Sequence, residues 1–192
     1  MGKKVKRSWL EVWSWKSFSE NREENFEVLD SYLNFKPQNI LDIGCGLAYE
    51  SEKFQKKYNT NLYLLDGDAE DTKENSRDIK YGAVDDFKFY NSIVDLKNSW
   101  DDRKIQYNFV DANKVEIPNE IKFDLIYSLL SCGFHYPVTT YKHLIDKHST
   151  DDTVIVMDFQ KSSIGQQMQY IDVIDTISEN STAVKLHFKF KQ

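Results

Sequence analysis

The sequence predicts an α/β fold: a doubly wound, mostly parallel sheet with a helical N-terminus and an antiparallel strand at its C-terminal edge. Three observations carry that expectation. Apolar runs without alternation recur along the chain: NILDI (39–43), NLYLLD (61–66), IQYNFV (105–110), FDLIYSLL (123–130) and TVIVMDF (153–159). Strands buried on both faces read this way. Helical or polar stretches separate the runs, as parallel crossovers require. The last run, TAVKLHFKF (182–190), does alternate, with Val184, Leu186, Phe188 and Phe190 on one face. That is the pattern of a half-buried strand at an edge.

Taken in order, the first 36 residues read as helical. Trp9 and Trp13 have helical spacing, Ser19 is a candidate cap, and Phe26, Leu29 and Leu33 share a face before Pro37 stops the element. This segment (1–36) is a candidate lid or a packing layer. Residues 48–58 and 138–148 read as helices, and 69–80 as polar and helical at its start. Residues 164–178 place Ile164, Met168, Ile171, Ile174 and Ile177 near helical spacing, so a helix is expected there too. That leaves a single C-terminal strand.

No repeat, low-complexity tract or Pro/Gly/Ser linker divides the 192 residues, a length within the range of one domain. The expected organisation is one domain over 1–192. A 14% aromatic content argues against disorder. The net charge of −6 disfavours non-specific binding to nucleic acid or an anionic membrane. Cys45 and Cys132 cannot build a disulfide framework and read as reduced thiols. No apolar run is long enough to span a bilayer, and MGKKVKR lacks the apolar stretch of a secretory signal. The expected location is the cytoplasm, as a monomer or small homo-oligomer.

Parallel sheets bind ligands beyond the carboxyl ends of their strands. The first such end is LDIGCGLAYE (41–50), with Asp42 and then Gly44-Cys45-Gly46 between a strand and a helix. Glycines allow a tight turn and close approach of a ligand to backbone. The dinucleotide pattern G-x-G-x-x-G fails at Tyr49. The second is YLLDGD (63–68), where Asp66 ends a strand, followed by Gly67 and Asp68. A carboxylate there can accept both ribose hydroxyls of a nucleoside. The third is FVDANK (109–114), with Asp111 and Ala112.

The segment 41–50 resembles motif I of class I S-adenosylmethionine-dependent methyltransferases, with Ala48 where the family usually has a third glycine. With K-F-D-L-I at 122–126, the resemblance covers residues 39–160 in order and spacing. It implies a Rossmann-like methyltransferase sandwich that uses S-adenosylmethionine and leaves S-adenosylhomocysteine. The implied cofactor residues are Asp42, Gly44, Cys45, Gly46, Asp66, Gly67, Asp68, Asp111, Ala112 and Ser128. The resemblance implies that Asp111 accepts from the adenine amino group and that Ala112 leaves room for the ring.

The stretch after the fourth strand, S-L-L-S-C-G-F-H-Y-P-V (128–138), is similar to small-molecule O-methyltransferases of the sugar-modifying kind. It lacks the [DNS]-P-P-[YF] of nucleic-acid amino methyltransferases and the Pro-Cys of cytosine C5 enzymes. Cys132 reads as a packed thiol. No acid stands between Tyr127 and Tyr141, and Asp158 is followed by Phe159, so no metal is expected. A neutral imidazole at His135 suits removal of a hydroxyl proton. Its neighbour Tyr136 would face the acceptor. FKFYNS (87–92) is either a surface turn or, through Tyr90 and Asn91, a wall of the acceptor pocket. His143, His148 and His187 read as structural or solvated.

The expected function is methyl transfer to a hydroxyl of a small molecule, a sugar or glycan precursor among the candidates. Two alternatives stay open at this point. One is N-methylation of a small amine or protein side chain. The other is a methyltransferase fold that binds S-adenosylmethionine or a nucleotide without transfer.

Overall fold

The computed structural model describes residues 16–68 and 91–192, with the side chains of its first helix described from Arg22 onward. Trp9, Trp13, Trp15, the 69–80 stretch and Tyr90 lie outside the described residues. The described chain runs α1 (Lys16–Tyr32), β1 (Asn39–Ile43), α2 (Tyr49–Tyr58), β2 (Asn61–Asp66), α3 (Ile93–Asp102), β3 (Tyr107–Asp111), β4 (Leu125–Ser128) and β5 (Ser131–Tyr136). A 3₁₀ turn (Val138–Tyr141), α4 (Lys142–His148), β6 (Val154–Gln160), α5 (Ile164–Gln167), a second 3₁₀ turn (Met168–Tyr170), β7 (Ile171–Glu179) and β8 (Ala183–Phe190) follow.

Seven strands form one sheet in the order β3-β2-β1-β4-β6-β8-β7. The pairs from β3 through β6 are parallel, and β8 runs antiparallel to both β6 and β7. The order reverses between β1 and β4, which sets the switch point where a ligand is expected.

Both faces are buried, and adjacent residues of one strand serve different layers. Ile40 packs with Leu29, Phe54, Leu96 and Trp100 under α1, α2 and α3. Leu41 and Ile43 pack with Phe123, Leu144, Ile145 and Phe159 on the opposite face. This two-sided burial is why the central strands read as unbroken apolar runs.

Helix α1 is one of the packing layers. Leu29 is fully buried, and Phe26 meets the Phe54 ring edge-on at 5.0 Å. Asp30 accepts from Tyr58 Oη at 2.6 Å and pairs with Lys57. Ser19 lies inside α1 rather than at its start.

Three stretches differ from the sequence expectation. Residues 164–178 form α5, a 3₁₀ turn and most of β7, so the C-terminus is a two-strand hairpin with β7 outermost. Ile171, Val173, Ile174, Thr176 and Ile177 are β-branched, which favours the strand. Helix α3 had no sequence signal strong enough to predict it; only Leu96 and Trp100 of its residues are buried. Residues 131–136, given no element by the sequence, are extended as β5.

Candidate functional site

The sequence-predicted residues converge at the carboxyl ends of β1, β2 and β3, joined by backbone hydrogen bonds. Gly44 and Cys45 N–H both donate to Leu65 O, at 2.8 and 3.1 Å. Ala112 N–H donates to Asp66 O at 2.9 Å, and Asp66 stands opposite Asp111 in the β2–β3 register. The Asp66 carboxylate is seated on the glycine loop. One oxygen accepts from Gly46 N–H at 2.8 Å, the other from Gly67 N–H at 2.8 Å. Asp111 Oδ1 accepts from Asn113 N–H at 2.8 Å.

The glycines have local reasons. Gly44 has φ +71°, and a Cβ there would lie 2.0 Å from Ser131 Oγ. The loop therefore packs directly on the start of β5. Trp100 Nε1–H donates to Gly46 O at 3.1 Å from the fully buried face of α3. Ala48, at the family's third-glycine position, has φ 52° and ψ 39°. This is the left-handed region that glycine reaches without a Cβ penalty. Tyr49 follows, held between the guanidiniums of Arg22 and Arg103 at 4.3 and 4.4 Å from its ring centre.

Asp42 points into the protein. Ser51 Oγ donates to its Oδ2 at 2.8 Å, Tyr127 Oη at 3.0 Å, and the two hydroxyls lie 2.5 Å apart. Burial pushes the Asp42 carboxyl up to about 8, and the nearby Glu50 carboxylate adds to the rise against the two hydroxyl donors. Burial also holds the Cys45 thiol well above its ordinary range, reinforced by Asp66 and Asp42, so it stays protonated. Ser128 is fully buried; its Oγ donates to Ile43 O and accepts from Cys132 N–H, both at 2.8 Å. These bonds lock the end of β4 to the end of β1.

The segment after β4 forms the other half of the site. Leu130 is exposed and has φ 53°, a strained conformation for leucine. Its N–H donates to Asp158 Oδ2 at 3.2 Å, while Asp158 Oδ1 pairs with Lys185 Nζ at 2.7 Å. That ion pair is buried, with side-chain exposures of 7% and 5%. β5 then carries His135, half-buried and edge-on to Phe134 at 4.9 Å, and the buried Tyr136. Gln167, fully buried, donates from Nε2 to Gly133 O at 2.7 Å and accepts from Val138 N–H through Oε1 at 2.8 Å. Asn91 is buried, and its Oδ1 has no hydrogen-bond partner among the described residues.

Ala112 borders a groove of about 730 Å³ between the loop of Val115–Pro118 and the Thr140–His148 turn and helix. His148, on that helix, is buried and bonds Ile121 O at 2.9 Å through Nδ1. Among the described residues, no group of three or more His, Cys, Asp or Glu could hold a metal ion. No described helix is long and apolar enough to cross a membrane. Sequence reasoning did not find Trp100, Ser51, Tyr127, Asp158, Lys185 or Gln167. Their one local pattern, the four-residue spacing of Leu96 and Trp100, is too short to reveal a helix.

No known protein-family profile matches the chain, and no curated protein does. Solved structures do. The chain is similar to the PH0226 protein from Pyrococcus horikoshii OT3, with TM-score 0.64 and 11% identity over 93% of each chain. It is similar to a methyltransferase from Pyrococcus furiosus, with TM-score 0.58 and 15% identity over 88% of this chain and 82% of that one. It is also similar to the plantazolicin methyltransferase BpumL, solved with S-adenosylhomocysteine, with TM-score 0.50 and 18% identity over 84% of this chain and 53% of that one. The chain thus has the fold of the Rossmann-like methyltransferases.

Proposed function

We propose that this protein is an S-adenosylmethionine-dependent methyltransferase that acts on a hydroxyl of a small molecule, with His135 as general base and without a metal. One observation carries the reading. The Gly44–Gly46 loop, Asp66 and Asp111–Ala112 form one hydrogen-bonded set at three adjacent strand ends of a methyltransferase fold.

The residues fit a nucleoside. Each Asp66 oxygen takes one backbone N–H, and the carboxylate stands at the strand end where an acid accepts ribose hydroxyls. Asp111 is the matching acceptor for an adenine amino group. Ala112 opens onto a groove within the size range of ligand pockets. S-adenosylmethionine, when bound, supplies an electrophilic methyl group. The chain's own contribution is positioning, worth about 7–11 kcal/mol for well-oriented reactants. His135 removes the hydroxyl proton, worth roughly 10²–10⁴ in rate. Asp42 gathers Ser51 of α2 and Tyr127 of β4 beneath the loop, and Ser128 ties the end of β4 to the end of β1; Tyr136 and Asn91 are assigned to the acceptor side.

The test is calorimetric titration with S-adenosylhomocysteine. Wild type binds. Asp66→Ala weakens binding by about 10²–10⁴-fold, since two hydrogen bonds to a charged group are each worth about 1.5–3 kcal/mol. His135→Ala binds like wild type and loses turnover once an acceptor is supplied. Folded wild type that fails to bind overturns the reading.

A further inference from the structure

We infer that Gln167 is a positioning residue for His135: its side-chain amide is a clasp that closes the Gly133–Val138 arch. The inference rests on the reading of His135 as base, and it reaches a residue outside the strand ends.

The arch begins where Ser128 Oγ accepts the Cys132 N–H, and Gly133 follows at φ +85°. A Cβ at Gly133 would sit 2.9 Å from Asp158 O, so the arch lies directly on the end of β6. From there β5 runs on to Tyr136 before Pro137 turns the chain. Phe134, His135 and Pro137 are partly exposed, Tyr136 is buried, and Val138 lies in the core, fully buried. The outgoing Gly133 C=O and the returning Val138 N–H must both be satisfied inside the protein. Gln167 does this with one planar group: its NH₂ donates to the first at 2.7 Å and its carbonyl accepts from the second at 2.8 Å. Both bonds are of ideal length. The amide replaces a rung of strand pairing between the two limbs of the arch. The Cys132 Sγ–H, aimed at Pro137 O at 3.4 Å, adds a weaker tie across the same gap.

The Gln167 side chain makes no other hydrogen bond among the described residues, is fully buried, and sits on a helix of four residues. A polar side chain in that position costs desolvation unless both ends are paired. It contributes no apolar packing that methionine would not supply better. What it fixes is the separation and orientation of two backbone points, two residues before His135 and three after it. With those points held, the imidazole has a defined direction, as a general base requires.

The experiment uses the full chain with isotopically labelled histidine. The four histidines give separable imidazole signals, and His135→Asn assigns the one of interest. In Gln167→Met both bonds are lost at nearly constant volume. Expected is a displaced and broadened His135 imidazole signal with a changed titration midpoint, while S-adenosylhomocysteine affinity stays within about threefold of wild type. Gln167→Glu keeps the bond from Val138 N–H and loses the one to Gly133 O. It is expected to fall between, and it serves if the methionine variant does not fold. A His135 signal identical to wild type in position, width and midpoint in the folded variants overturns the clasp. Failure of wild type to bind S-adenosylhomocysteine overturns the methyltransferase reading instead, and leaves the clasp to be judged on the histidine signal alone.

Discussion

The two halves of the site are built by different means. The half at β1, β2 and β3 is made of main chain: glycine N–H groups, strand-end carbonyls and one carboxylate laid across them. The half after β4 is held by side chains reaching in from afar: Asp158 and Lys185 from the neighbouring strands, and Gln167 from the crossover to β7. A cradle of backbone suits a ligand whose shape does not change from one enzyme to another. A loop pinned at separate points by replaceable side chains suits an acceptor that does.

This contrast can be broken first in the half after β4. Lys185→Met strips the partner from a buried Asp158, and leaving such a charge unpaired costs about 3–5 kcal/mol. Urea unfolding measures it. Adding Asp158→Asn to the same chain should recover part of the loss, because the charge goes while the Leu130 N–H retains an acceptor. No recovery would show that Lys185 acts through packing alone.

The half at the strand ends can be sharpened through Asp42. Its carboxyl sits near 8 in the folded protein against an ordinary 3.8. Between about pH 4 and pH 8 the native state keeps a proton that the unfolded chain has released. Stability therefore falls as pH rises through that window, by at most about 1.4 kcal/mol per pH unit, and levels off above it. Burial raises Glu50 as well, so its contribution has the same sign. Asp42→Asn keeps acceptors for Ser51 and Tyr127 and cannot ionise. Unfolding at a series of pH values should show a flatter profile for it than for wild type; an unchanged slope would assign the proton elsewhere.

The smallest effect is a gain. Ala48 occupies a left-handed conformation, which costs a residue with a Cβ about 1–2 kcal/mol. Glycine removes that cost and returns part of it as unfolded-chain entropy. Ala48→Gly should stabilise the protein by about 0.5–1 kcal/mol without weakening S-adenosylhomocysteine binding. A loss of stability would mean that the methyl group packs better than its backbone angle suggests.

The same division governs what could be read from sequence. Gly44, Gly46, Asp66 and Asp111 stand at the ends of apolar runs, and strand-end position alone brings them together. Gln167 lies 34 residues from the carbonyl it holds, and no local pattern points from one to the other. β7 misled for a related reason. Its pairing with β8 slips between Val173 and Asp175 and again between Thr176 and Ser178. Each slip breaks the two-residue alternation, and what remains of the isoleucine spacing imitates a helix. α3 stayed hidden because a helix that buries only Leu96 and Trp100 leaves almost no periodic signal.

Those slips in β7 have a consequence beyond topology. β7 is an outermost strand of the sheet, and it shows Val173 and Ile174 to solvent. A flat strand of that composition is a template on which another chain can add in register and begin a fibre. Two bulges within nine residues twist the free row of amides out of line, and Asp172, Asp175 and Glu179 put like charges along it. The irregularity that made the strand hard to recognise also makes its edge a poorer template for a neighbour.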